Sequence, residues 1–145
     1  MAIVDTPPYS SELSLSAASV ADLVLVPTKP LIFDLRSIAD TAQILKLGRK
    51  LDKAVAVLNG VRPFGARGDE AEQYAKTLGI DVAPARISDR VAIADALVSG
   101  MGITEYEPQG KAAEEMRALR DYLAMRLGLK KRGRNDETRS SDIGA

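Results

Sequence analysis

Three places in the chain bring together residue types that can do chemistry. Ile3-Val4-Asp5-Thr6-Pro7-Pro8 reads as an apolar strand that ends in an acid and breaks into a rigid turn. In nucleotide-binding α/β proteins ligands gather at the carboxyl ends of strands, and an Asp there can hold a magnesium-bound water. The prolines fix the exit direction and stop the strand, and taken alone such a turn is more often a structural strand stop than a metal site. Asn59 follows a second apolar run. Its carboxamide offers one donor and one acceptor group, which suits the edge of a base, while Asn59-Gly60 also spells a turn. Arg86 and Arg90 lie close in sequence; they could contact nucleic-acid phosphates without sequence preference or form a solvated charged face.

The rest of the composition narrows the chemistry. The chain has 145 residues, 46% of them hydrophobic, which is enough for one domain with a core. It contains no cysteine and no histidine, which removes disulfides, thiolate metal sites, zinc hydrolases and nucleophile enzymes that depend on Cys or Ser/His pairs. Lys plus Arg and Asp plus Glu both total 20, so nucleic-acid or lipid binding would have to come from local clusters rather than from a net field. No apolar run is long enough to span a bilayer and no secretion signal is evident, so the sequence reads as cytoplasmic.

Elements that could position these residues follow from the pattern. Short Val-, Leu- and Ile-rich runs at Ala2–Val4, Leu23–Val26, Ala54–Leu58 and Ile80–Ala83 alternate with segments of helical period, which predicts a parallel sheet covered by helices, an α/β fold. Helices are expected from about Glu12 to Ala21, behind an Asp34 N-cap with Leu35, Ile38, Ala42 and Leu45 on one face, and behind Asp69 with Ala71, Tyr74, Ala75 and Leu78, ending at Gly79. A further helix is expected over Arg90–Ser99. The last starts near Lys111, with Ala112, Met116, Leu119, Leu123 and Leu127 as one stripe. This gives a domain over residues 1–129 and a basic, polar, disordered tail over 130–145.

Taken in order, Asp5-Thr6-Pro7-Pro8, Ser11-Glu12-Leu13, Ala21 to Pro27, Pro30, Asp34-Leu35, Val57-Leu58-Asn59, Arg90-Val91-Ala92, Asp95-Ala96, Gly100, Thr104-Glu105 and Ala112 to Glu115 resemble the ParA/MinD family. The similarity is greatest to the small plasmid-partition ParA ATPases and runs to about Leu129. The resemblance implies an incomplete three-layer αβα sandwich, the deviant Walker P-loop NTPase fold without its first strands. It implies that Asp5 and Thr6 form the catalytic switch, with Asp5 toward Mg2+. It also implies that Asn59 reads the adenine of ATP with Pro84 beside the base, and that Arg86 and Arg90 contact nonspecific DNA. Implied partners are a ParB-like protein, a second copy, or an intact ParA. The tail lacks the apolar face of a membrane-targeting helix, so no membrane role is expected, and retained DNA binding would place the chain on the nucleoid.

The family's Lys-Gly-Gly-Val-Gly-Lys-Thr/Ser loop has no counterpart in these residues. Gly60, Gly65 and Gly68 lack the Gly-Lys-Ser/Thr ending. Phosphoryl transfer depends on that loop and its metal for positioning and charge, so this chain alone is expected to be inactive in hydrolysis. In the intact family sheet the loop-bearing strand lies between the strand ending at the switch Asp and the one matching Leu23–Val26. Ala2–Val4 must then close the gap or stay unpaired, and an open edge invites association. Two functions compete: a partition protein of the ParA type, and an inactive interaction module that binds a ParB-like partner or an intact ParA. A nucleotide-free α/β scaffold of another family is the third reading.

Overall fold

The computed structural model describes residues 2–7 and 11–129, excepting the side chains of Ser11, Ile32, Phe33 and Leu35; the expected tail over 130–145 lies outside the described residues. Its organising element is β2 (Ala54–Val61), in which Ala54 to Leu58 are all buried. Such a strand needs a hydrogen-bonded neighbour on each edge and a covering layer on each face. On one edge β1 (Val24–Thr28) pairs with it in parallel, Val24 opposite Ala54 through Thr28 opposite Leu58. On the other edge two short parallel strands share its length: β3 (Asp81–Val82) beside Val55 and Ala56, and β4 (Ile87–Ser88) beside Asn59 and Val61.

Side-chain alternation along β2 divides the core in two. Ala54, Ala56 and Leu58 face a cluster built with Val26 of β1, Ala18 of α1 (Ser11–Val20), Ile38, Ala42 and Leu45 of α2 (Ile32–Leu47), and Ala71 and Ala75 of α3 (Arg67–Thr77). Val55 and Val57 face the opposite way, toward Ala83, Ile87, Ile93 of α4 (Val91–Val98), and Met116, Leu119 and Tyr122 of α6 (Lys111–Arg126). The short α5 (Ile103–Tyr106) buries Ile103 against Ala96 and Ala112. Helices on both faces of a small parallel sheet make this a three-layer α/β arrangement.

One residue breaks the alternation. Gly60 has φ 65° and sits where the register against β4 slips, so two residues of β2 oppose one of its neighbour. That β-bulge shifts the side-chain phase by one and sends Val61 to the same cluster as Leu58. The Asn59-Gly60 pair is thus a bulge inside a strand and not a chain reversal. Gly79, with φ 82°, ends α3 as its sequence position indicates.

Two expectations require correction. Ala2–Val4 is not a strand: it has no regular structure, and Ile3 and Val4 are 87% and 67% exposed. An apolar run gains strand stability only from pairing, and no strand pairs with it among the described residues. The acids read as N-caps fall three residues late. α2 is preceded by Leu31 and α3 by Ala66, so Asp34 and Asp69 sit in the first turn, where a carboxylate complements the helix dipole as well as it would cap the end. Strand β4 and helix α5 are additional to the sequence-based expectation; at two and four residues they are too short to have a period.

The packing predicts that Leu58→Ala lowers the unfolding free energy by about 2–5 kcal/mol, since Leu58 is wholly buried. Leu47→Ala on exposed α2 surface should change it by less than about 0.5 kcal/mol. Urea titration of both variants measures the contrast.

Candidate functional site

Parallel strands end together, so their carboxyl ends and the turns that follow form a rim. Here β1 ends at Thr28 in register with Leu58, and the chain then turns through Lys29 and Pro30 into α2, the amide of Leu31 donating to the Lys29 carbonyl at 2.8 Å. Asn59 is the next residue of β2. Between the two strand ends lies a cleft of about 330 Å³ lined by Pro27, Thr28, Lys29, Leu31, Asp34 and Asn59.

Each lining group has a local cause. Thr28 is buried, and its hydroxyl donates to the Val26 carbonyl at 3.2 Å. The bulge at Gly60 follows Asn59 directly and sets where the strand leaves the rim. The stem of Lys29 lies over the glycine: a Cβ built on Gly60 would meet its methylenes at 3.8 Å. Leu31 offers α2 no side-chain cap, and Asp34 stands in the first turn. The cleft therefore combines a carboxamide, a hydroxyl, an ammonium and a carboxylate against apolar walls. This set can orient a small polar ligand by hydrogen bonds and charge; it contains no nucleophile paired with a base.

Of the candidate site residues read from the sequence, only Asn59 lines this cleft. Pro84 is exposed on the crossover from β3 to β4, which flanks β2 on the edge opposite β1. Asp5 and Thr6 stand in the exposed segment before α1. Among the described residues no three Asp or Glu side chains gather in a way that could hold a metal ion.

Arg86 and Arg90 are both engaged by carboxylates. Nη2 of Arg86 donates to Asp69 at 2.7 Å and Glu72 at 2.6 Å, which ties the β3–β4 crossover to α3. Hydrogen bonds from Lys76 and then Arg86 hold the Glu72 carboxyl below its ordinary range, against the opposing effect of burial. Arg90 donates to Oε1 of Glu115 at 2.8 Å, and Glu115 also accepts from the amide and hydroxyl of Ser88 at 2.9 and 2.8 Å. Burial is the largest single influence on Glu115 and opposes ionisation. The bonds from Arg90 and Ser88 together outweigh it and hold the carboxyl below its ordinary range. At the amino end of the strands, Arg126 and the Tyr122 hydroxyl reach Asp81, which fastens α6 to β3.

Sequence reasoning missed Thr28, Lys29 and Asp34 as lining residues. The available signal was the polar turn Thr28-Lys29-Pro30 directly after a buried strand. It had no means of finding Glu115 as the partner of Ser88 and Arg90, because 25 to 27 residues separate them. Comparison with models of known protein families, and with curated protein sequences, finds no match to this chain. No helix among the described residues is long and apolar enough to cross a membrane.

A carboxyl whose folded pKa is depressed contributes stability that is present above its unfolded value and is lost as pH falls through the folded one. Glu72 and Glu115 are both of this kind. Stability should therefore decline as pH drops below the ordinary glutamate value of about 4.3. Glu115→Ala should cost about 1–3 kcal/mol at pH 7, because the half-buried Ser88 amide loses its acceptor, and should flatten part of the acid limb. Urea unfolding at a series of pH values reads both effects.

Proposed function

We propose that this chain is a ParA-like DNA-partition protein whose retained ligand-facing feature is the base-reading cleft on Asn59. The single observation that supports this reading is the placement of Asn59 directly after the buried run Ala54–Leu58, toward the carboxyl end of parallel strand β2, on a cleft with Thr28, Lys29 and Asp34. That is the position where open α/β sheets take nucleotides, and a carboxamide there matches the donor and acceptor pattern of an adenine edge. The chain holds no Gly-Lys-Ser/Thr loop, so the base supplies most of the affinity and the phosphates little. Hydrolysis is not part of the reading for this chain alone. In cells the ligand set would be that of partition systems: ATP, a ParB-like partner and nonspecific DNA. Contact of Arg86 and Arg90 with phosphate then means exchanging Asp69, Glu72 and Glu115 for it.

One observation favours a second reading, an inactive interaction module for a ParB-like partner or an intact ParA. Asp5 and Thr6 stand in solvent on an unpaired segment and line no part of the cleft, which separates the switch positions from the base-reading one.

Calorimetry distinguishes the two. Under the first reading adenosine, ADP and ATP bind with similar, weak affinity, on the order of millimolar, and Asn59→Ala weakens all three by about tenfold through loss of the amide bonds. No heat of binding from any of the three at millimolar ligand would sink the nucleotide reading and leave the interaction module.

A further inference from the structure

β1 is the edge strand on one side of the sheet, and the short β3 and β4 form the other. β1 pairs with β2 along one edge, and among the described residues no strand pairs with the other. Pro27 lies in β1, as proline does in strands whose outer amides face solvent. The outer edge carries apolar residues: Leu25 is 43% exposed, on the face that α4 and α6 leave bare at β1.

The same copy contains a strand-type segment with no partner. Ala2-Ile3-Val4 is apolar, lies outside any element, and leaves Ile3 and Val4 exposed. The order of the sheet says where such a segment belongs. α2 and α3 lie on one face, and the strands they connect are added in one direction, β1 to β2 to β3. α1 lies on that face too, with Ala18 in the same cluster. Parallel crossovers keep one hand, so a parallel strand preceding α1 falls on the far side of β1, along the open edge.

We infer that the outer edge of β1 takes the Ala2–Val4 segment of a second copy of this chain as a fifth parallel strand, and that the exchange is reciprocal. Within one copy the segment stands in solvent and the edge stands open. A two-fold exchange pairs both at once and closes on itself, as strand exchange between identical chains does. It also sets Val4 beside Leu25 on one face and Ile3 beside Val24 on the other. Ala2–Val4 beside Leu23–Leu25 sets Asp5 at the level of Val26. Two short strands make a small interface, so the dimer belongs to the weak class, with a dissociation constant on the order of micromolar to tens of micromolar.

Sedimentation of the full chain over that range, without nucleotide, tests the inference independently of the nucleotide reading. The expected result is a monomer–dimer equilibrium, weakened about tenfold or more in Ile3→Lys/Val4→Lys. The chain has no cysteine of its own, so pairing can be located directly. Val4→Cys in one isotopically marked copy and Leu25→Cys in the other should form a mixed disulfide under mild oxidation. A chain that stays monomeric at every concentration overturns the inference. So does a double Val4→Cys/Leu25→Cys chain that cross-links only within itself, because the edge is then filled by its own segment. A dimer or aggregate that persists unchanged in Ile3→Lys/Val4→Lys overturns it as well, since the exchanged segment cannot then be what joins the copies.

Discussion

Complete burial of the middle of β2 is the constraint on which the remainder of this molecule depends. Five successive residues, Ala54 to Leu58, are sealed from water, and every one of their backbone donors and acceptors must find a partner inside the protein. β1 meets that demand on one edge over five residues; β3 and β4 share it on the other, with the Ala83 amide donating to the Ala56 carbonyl between them at 2.9 Å. Two helical layers follow because both faces of this strand are apolar, and a small sheet with helices on both sides is the economical way to cover them.

The side of β2 that carries β3 and β4 is held differently from the side that carries β1. Strands of two residues contribute few ladder bonds, and ion pairs and charge-assisted bonds fasten that flank instead. Arg86 joins the crossover to α3, Glu115 joins α6 to Ser88 and Arg90, and Asp81 receives Arg126 and Tyr122. Glu115 is the most effective of these, since it is largely buried and satisfies a backbone amide as well as a cation. The two arginines that could meet nucleic acid are thus also structural groups, and their use on phosphate competes with the attachment of α3 and α6.

The bulge directly follows Asn59, a lining residue of the cleft. Without Gly60 the strand would continue in phase, and Val61 would leave the core cluster that it shares with Leu58. The left-handed φ at that position is accessible to glycine at little steric cost, and the stem of Lys29 closes over it. The bulge thus joins a core requirement to the geometry of the rim on which Asn59 stands.

Much of this arrangement was legible in the residues themselves. Continuous apolar runs marked β1 and β2, the spacing of Ile38, Ala42 and Leu45 and of Ala71 and Ala75 marked two covering helices, and Gly79 marked the end of one. These features are local, encoded in periods of two and of 3.6 residues. Asn59 could be named from the chain as a strand-end amide, but whether its Gly60 made a turn or a bulge could not, because that depends on the register of β4 reached 27 residues later. The pairing of Arg86 and Arg90 with carboxylates, the gathering of Thr28, Lys29 and Asp34 beside Asn59, and the solitary state of Ala2–Val4 were likewise decided by tertiary structure. The physical reason is common to all of them: an apolar run specifies what it would bury, and only the other elements determine whether anything comes to cover it.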